Sequence, residues 1–117
     1  MPTKTGSPHP FEVWRIPFYY EDDPTAAKVR PVVIASIDDQ QATAVALKVT
    51  GHGPRPEFPG EVRLTQWEEA GLPKPSTVRC SKRASIPLSG FDDALRYGML
   101  SPADIEAVRI GIEESNG

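Results

Sequence analysis

At 117 residues, with 38% hydrophobic and 25% charged residues, the chain fits one domain built on one core. No apolar run approaches the roughly 20 residues of a membrane helix, and residues 1–10 are polar and proline-rich with no apolar signal core, so a cytoplasmic address without membrane association is expected. The net charge of −3 argues against bulk binding of nucleic acid, the single cysteine excludes an intrachain disulfide or cysteine zinc cluster, and two histidines make a metal site improbable; no cofactor is expected.

Residues 1–10 read as a flexible tail, and 11–117 as the single domain. Residues 12–18 alternate polar and apolar, the pattern of a half-buried strand. Residues 19–28, acidic and interrupted by Pro24, predict a loop. Pro31 then opens a run dense in β-branched residues, so 29–37 predicts a second strand, with Arg30 at its mouth. A polar turn at 38–41 leads into a third strand at 42–50, apolar at Val45, Leu47 and Val49. Such short links favour antiparallel neighbours. The segment 51–60 (GHGPRPEFPG) is a stiff loop, and 61–64 a short strand. Thr65, Glu68 and Gly71 have the spacing of a capping box and a C′ glycine, predicting one or two helical turns over 65–71. Strands at 76–80 and 83–88 follow, and 95–100 pairs at an edge or stays irregular. Ser101, Pro102 and Asp104 supply an N-cap, an N1 proline and an N3 acid for a terminal helix with an apolar stripe at Ile105, Val108 and Ile112. The expected fold is mainly β: a small, strongly bent antiparallel sheet or barrel, with a C-terminal α-helix and a short helix between strands.

Charge is unevenly placed. Lys28, Arg30, Lys48, Arg55, Arg63, Lys74, Arg79, Lys82 and Arg83 fall in a span with fewer acids, so a local basic face on an acidic body is possible, and a polyanion responds to local potential. A charge at a strand mouth faces a groove, which makes Arg30 a candidate anion-binding residue. The plainer alternative is a surface pair with the acidic residues Glu21, Asp22 and Asp23.

The order of segments resembles the MazF/PemK family of toxin endoribonucleases from type II toxin–antitoxin pairs. The likeness rests on Val13-Trp14 in the first strand, an acidic loop, Arg30-Pro31-Val32, a strand ending in Thr50, Val78-Arg79-Cys80, and Gly98 to Leu100 before a helix. The resemblance implies an SH3-like barrel acting as a homodimer, metal-independent cleavage of single-stranded RNA, and neutralisation by a cognate antitoxin whose tail occupies the RNA groove. It also implies that Arg30 and Thr50 face the scissile phosphate, with Arg79 contributing as in the PemK branch. Three departures stand out: Ser81 follows Arg79-Cys80 where that branch has an aspartate, residues 19–28 hold no histidine, and Ala84-Ser85-Ile86 replaces Arg-Thr-Ile.

Metal-free RNA cleavage uses the 2′-hydroxyl as nucleophile and needs a base, an acid and cations on the phosphate oxygens. Arginine suits the cationic role because its planar fork makes two hydrogen bonds and stays charged. Arg30 is the first candidate and Arg79 the second. His52, just past Thr50, is a candidate acid or base because imidazole titrates near neutrality; a solvated loop histidine is the plainer reading. Single-stranded RNA is held by phosphate contacts and aromatic stacking. That makes Tyr19, Tyr20 and Phe58 candidate platforms, with Lys28, Arg55, Ser81 and Lys82 as candidate backbone contacts, although each aromatic could equally serve packing. The competing function is a barrel without an acid–base pair, acting as a binding module on an antitoxin or on a protein such as DNA gyrase. An unrelated hydrolase finds no nucleophile elbow or metal motif to support it.

Overall fold

The computed structural model describes residues 7–20, 23–92 and 94–116, with only the backbone given for 18–20 and 23–28. Six strands form one antiparallel sheet: β1 (Glu12–Tyr20), β2 (Asp23–Asp38), β3 (Thr43–Thr50), β4 (Glu61–Arg63), β5 (Thr77–Pro87) and β6 (Leu95–Met99), in the order β4-β5-β3-β2-β1-β6. A 15-residue helix, α1 (Pro102–Asn116), follows. The sheet is strongly bent and does not close, because β4 and β6 remain its two edges.

Two predicted loops and breaks turn out to be strand. Of the loop expected at 19–28, the described residues are strand: β1 runs to Tyr20, and the pairing of β1 with β2 continues through Tyr19↔Ala27 and Tyr20↔Asp23, while Glu21 and Asp22 lie outside the described residues. Asp23 and Pro24 are compatible with strand because this ladder has β1 on one side only, as β2 does not pair with β3 until Val32. The strands expected at 76–80 and 83–88 are one strand, β5, interrupted where Leu47↔Arg83 is followed by Lys48↔Arg79. Cys80, Ser81 and Lys82 are thus extra residues relative to β3. Bulges of this kind bend a strand and sharpen its twist.

The two sheet faces bury separate clusters. Val13, Val33, Leu47, Val49, Val78 and Cys80 face α1 and the segment 64–72, packing with Leu64, Leu72 and Val108. Trp14, Ile16, Val32, Ile34, Ala44 and Ala46 lie on the opposite face around Phe91, whose ring meets Trp14 edge-on at 5.3 Å and 82°. Trp67 packs at the margin of the first cluster.

The α1 start follows the capping prediction: Asp104 N–H donates to Ser101 Oγ at 3.2 Å, and Ile105 N–H to the Ser101 carbonyl at 2.8 Å. The segment 65–71 forms successive turns instead of a helix. Thr65 does not cap it; its N–H and hydroxyl donate to Asp104 Oδ1 at 3.0 and 2.9 Å, and Gln66 N–H donates to Oδ2 at 2.9 Å. The tertiary carboxylate wins over the local capping pattern because it satisfies three donors together. Gly71 still ends the segment with φ +86°, and a Cβ there would stand 2.3 Å from the Tyr97 carbonyl oxygen. The short helix between strands is a 3₁₀ turn at Leu88–Phe91, which places Phe91 in the core.

Candidate active site

The site is built from the polar end of the face that carries Trp14 and Val32. Directly paired residues of antiparallel strands share a face, as do residues two apart along a strand. Val32 pairs with Lys48, Lys48 with Arg79, and Arg79 with Glu61, forming one row across four strands. One same-face step away are Arg30 on β2, Thr50 on β3 and Thr77 on β5, and Thr50 pairs with Thr77.

Pro31 shapes the mouth of this row. It lies inside β2, not at its start, and the ladder to β3 begins only at Val32, next to a residue without an N–H to donate. Continuing the Val32↔Lys48 register by two residues puts Arg30 opposite Thr50, without paired backbone between them. The gap is a cleft of about 280 Å³. Its lining includes Arg30, Pro31, Thr50, Gly51, Lys74 and Ser76. Arg30 Nε is buried with no hydrogen-bond partner among the described residues. Thr50 Oγ1 accepts from His52 N–H at 3.4 Å, which turns the chain out of β3. The Lys74 side chain lies against Gly51, where an added Cβ would be 3.3 Å from Nζ.

Arg79 is differently placed. It shares the face of Arg30 two strands away, which corresponds to a Cα separation of about 12 Å from standard strand spacing. Its Nε donates to Glu61 Oε2 at 2.6 Å, and its guanidinium carbon lies 4.6 Å from the Phe58 ring centroid. Lys82 Nζ lies 5.4 Å from the same ring. Glu61 Oε1 accepts from Arg55 N–H at 2.8 Å. Burial pushes the Glu61 carboxyl up, but the hydrogen bonds from Arg79 and the Arg55 backbone, with both guanidinium charges, leave it below its ordinary value. Thr77 Oγ1 and Ser81 Oγ are buried without a hydrogen-bond partner among the described residues.

The structure therefore brings Arg30 and Thr50 to one cleft and puts Arg79 and Lys82 around Phe58 in a second cluster, with Ser81 between them along β5. His52 is exposed on the loop and does not line the cleft; its backbone N–H donates to Thr50 Oγ1. Arg55 contacts Glu61 through its backbone, while the residue is exposed. The side chains of Tyr19, Tyr20 and Lys28 lie outside the described residues.

The sequence matches, over residues 9–115, the family model of PemK-like, MazF-like toxins of type II toxin–antitoxin systems. This chain belongs to that family. Solved structures agree on the fold. An endoribonuclease from Mycobacterial species, in complex with its cognate antitoxin, has 18% identity and a TM-score of 0.68, covering 95% of this chain and 96% of that one. MazF from Deinococcus radiodurans gives 16% identity and a TM-score of 0.67, with 91% and 93% covered. The Mycobacterium tuberculosis toxin MazF-mt6 gives 21% identity and 0.62, with 88% and 94% covered. No curated protein sequence matches the chain.

Within the family fold, two residues at the site escaped sequence reasoning. Lys74 counts in the sequence only as one cation of the basic span, its backbone held extended by Pro73 and Pro75, and nothing there places it beside Thr50. Glu61 had none, because its partner Arg79 is 18 residues away and is found only through the β4–β5 register.

Proposed function

We propose that this chain is the toxin of a type II toxin–antitoxin pair and a metal-independent endoribonuclease that cuts single-stranded RNA. Arg30 holds the non-bridging oxygens of the scissile phosphate, and the Thr50 hydroxyl donates to the same group. Lys74 adds positive charge at the rim. The substrate 2′-oxygen attacks the adjacent phosphorus, the 5′-oxygen leaves, and a 2′,3′-cyclic phosphate forms. The proton from the 2′-hydroxyl passes to a base, and the 5′-oxygen takes one from an acid; His52 is the candidate for one of these transfers. Arg79 supplies a second guanidinium along the groove, and Phe58 offers a face for a base. Loss of one preorganised donor to a developing phosphorane charge costs on the order of 10²–10³ in rate.

The observation that carries this reading is the buried Arg30 Nε, without a hydrogen-bond partner among the described residues, on a side chain that lines one cleft with Thr50. Unpaired buried donors are costly, so a guanidinium kept this way is suited to an incoming anion. Family membership and the endoribonuclease neighbours support the same conclusion. An antitoxin with an acidic tail would compete for the cleft, in keeping with the neighbour solved with its cognate antitoxin. In this reading the toxin acts as a cytoplasmic homodimer, a state served by the exposed Leu95 and Met99 on the edge strand β6. No helix among the described residues is long and apolar enough to cross a membrane.

The ion pair that occupies Arg79 Nε favours one second reading, a binding module that grips an anionic partner without cutting. The two readings separate when the purified, antitoxin-free chain is incubated with single-stranded RNA in EDTA. Fragments with 2′,3′-cyclic phosphate ends support the nuclease; intact RNA at high protein concentration refutes it.

A further inference from the structure

We infer that Glu61 is a positioning residue of the site, a carboxylate clamp that fixes the Arg79 guanidinium in one orientation on the RNA-facing sheet face. The inference rests on the nuclease reading above and extends it to a residue on a different strand. Glu61 and Arg79 are directly paired on β4 and β5, so their side chains leave the sheet on the same side. The Glu61 side chain is 2% exposed and that of Arg79 11% exposed. Both Glu61 oxygens are engaged, Oε2 by Arg79 Nε at 2.6 Å and Oε1 by Arg55 N–H at 2.8 Å. The carboxylate therefore cannot swing away without breaking two bonds. Phe58 covers the guanidinium at 4.6 Å and closes another direction of movement.

A free arginine loses side-chain entropy when it grips a phosphate; a clamped one has lost it already. The clamp has an electrostatic consequence too. Glu61 compensates the Arg79 charge, so it trades attraction for RNA against orientation. Removing the carboxylate should strengthen binding and slow turnover, a combination that a residue serving only the fold would not produce.

Glu61→Gln, Arg79→Ala and the double variant test this in the full chain freed of antitoxin. The expected result for Glu61→Gln is a turnover about 10-fold or more lower, since small misplacements of a positioned group have effects up to 10²-fold. RNA made uncleavable by a 2′-deoxy substitution should bind more tightly. The slope of log K against log salt should steepen by up to about 0.7, because the Arg79 charge is no longer compensated by a neighbouring carboxylate. The double variant should be no slower than Arg79→Ala. Unchanged turnover and salt slope, or a further loss in the Arg79→Ala background, would overturn the inference. A nuclear magnetic resonance readout separates this from failure of the nuclease reading. The Arg79 Nε–H proton should be protected from exchange in the wild-type chain and lose protection in Glu61→Gln. If wild-type protein leaves RNA intact, the nuclease reading falls, and persistence of that protection in Glu61→Gln overturns the clamp on its own.

Discussion

Asp104→Ala should be among the most damaging single changes outside the sheet. Asp104 is 1% exposed, and its carboxylate accepts three hydrogen bonds, from Thr65 N–H, the Thr65 hydroxyl and Gln66 N–H. These bonds tie the first turn of α1 to the segment that carries Leu64, Ala70 and Leu72 into the core. Hydrogen bonds to a charged group are each worth about 1.5–3 kcal/mol, and the three share one anchor, so their loss is not additive. A net destabilisation of about 3–5 kcal/mol follows, a large part of the 5–15 kcal/mol typical of a domain. Urea unfolding followed by circular dichroism measures it, with the midpoint expected to fall while the m-value stays constant. Asp104→Asn should recover part of the loss, because it keeps one acceptor oxygen. A cost below about 1 kcal/mol for Asp104→Ala would refute the idea that this carboxylate anchors the segment.

Three further outcomes are expected. Gly111→Ala places a Cβ 2.7 Å from Val62 Cγ2 and 3.0 Å from Cys80 Sγ, so calorimetry should give a net loss of about 1–2 kcal/mol despite the better helix propensity of alanine; a stabilised variant would contradict that contact. Burial pushes the Cys80 thiol up to about 11, more than the neighbouring Arg83 lowers it, so labelling by an aromatic disulfide should be slow in the native state and should track unfolding; rapid native labelling would contradict its placement. Glu12 is pushed up by burial, but bonds from Trp14 Nε1–H, His9 N–H and Arg96 outweigh this and, with the Glu61 cluster, hold both carboxyls below the ordinary 4.5. The unfolded chain then binds more protons below about that pH, so stability should be full above it and decline as pH drops through the lowered values; Glu12→Gln should flatten the decline, and an unchanged acid profile would contradict the assignment.

The parts of the fold legible in sequence were those fixed by local chemistry. Alternation in β1 and β3, the turn at Asp38, whose Oδ1 accepts from Gln40 and Gln41 N–H, and the Ser101 cap are each decided within a few residues. The failures were decided at a distance. Thr65 had a convincing local cap pattern, yet Asp104, 39 residues on, takes its donors. Asp23 and Pro24 read as loop in the sequence because strand propensity says nothing of an existing hairpin partner. At the site, the proline after Arg30 was visible, but its effect, ending the β2–β3 ladder beside Thr50, required the register. The ion pair on Arg79 was invisible because Glu61 lies on another strand.

The most direct test of the central claim is cleavage of single-stranded RNA by Arg30→Ala in EDTA, with melting temperature measured alongside. The account predicts an unchanged fold and a loss of cleavage on the order of 10²–10³ or more, with growth arrest lost in cells. Cleavage at the wild-type rate by a folded Arg30→Ala protein would contradict it.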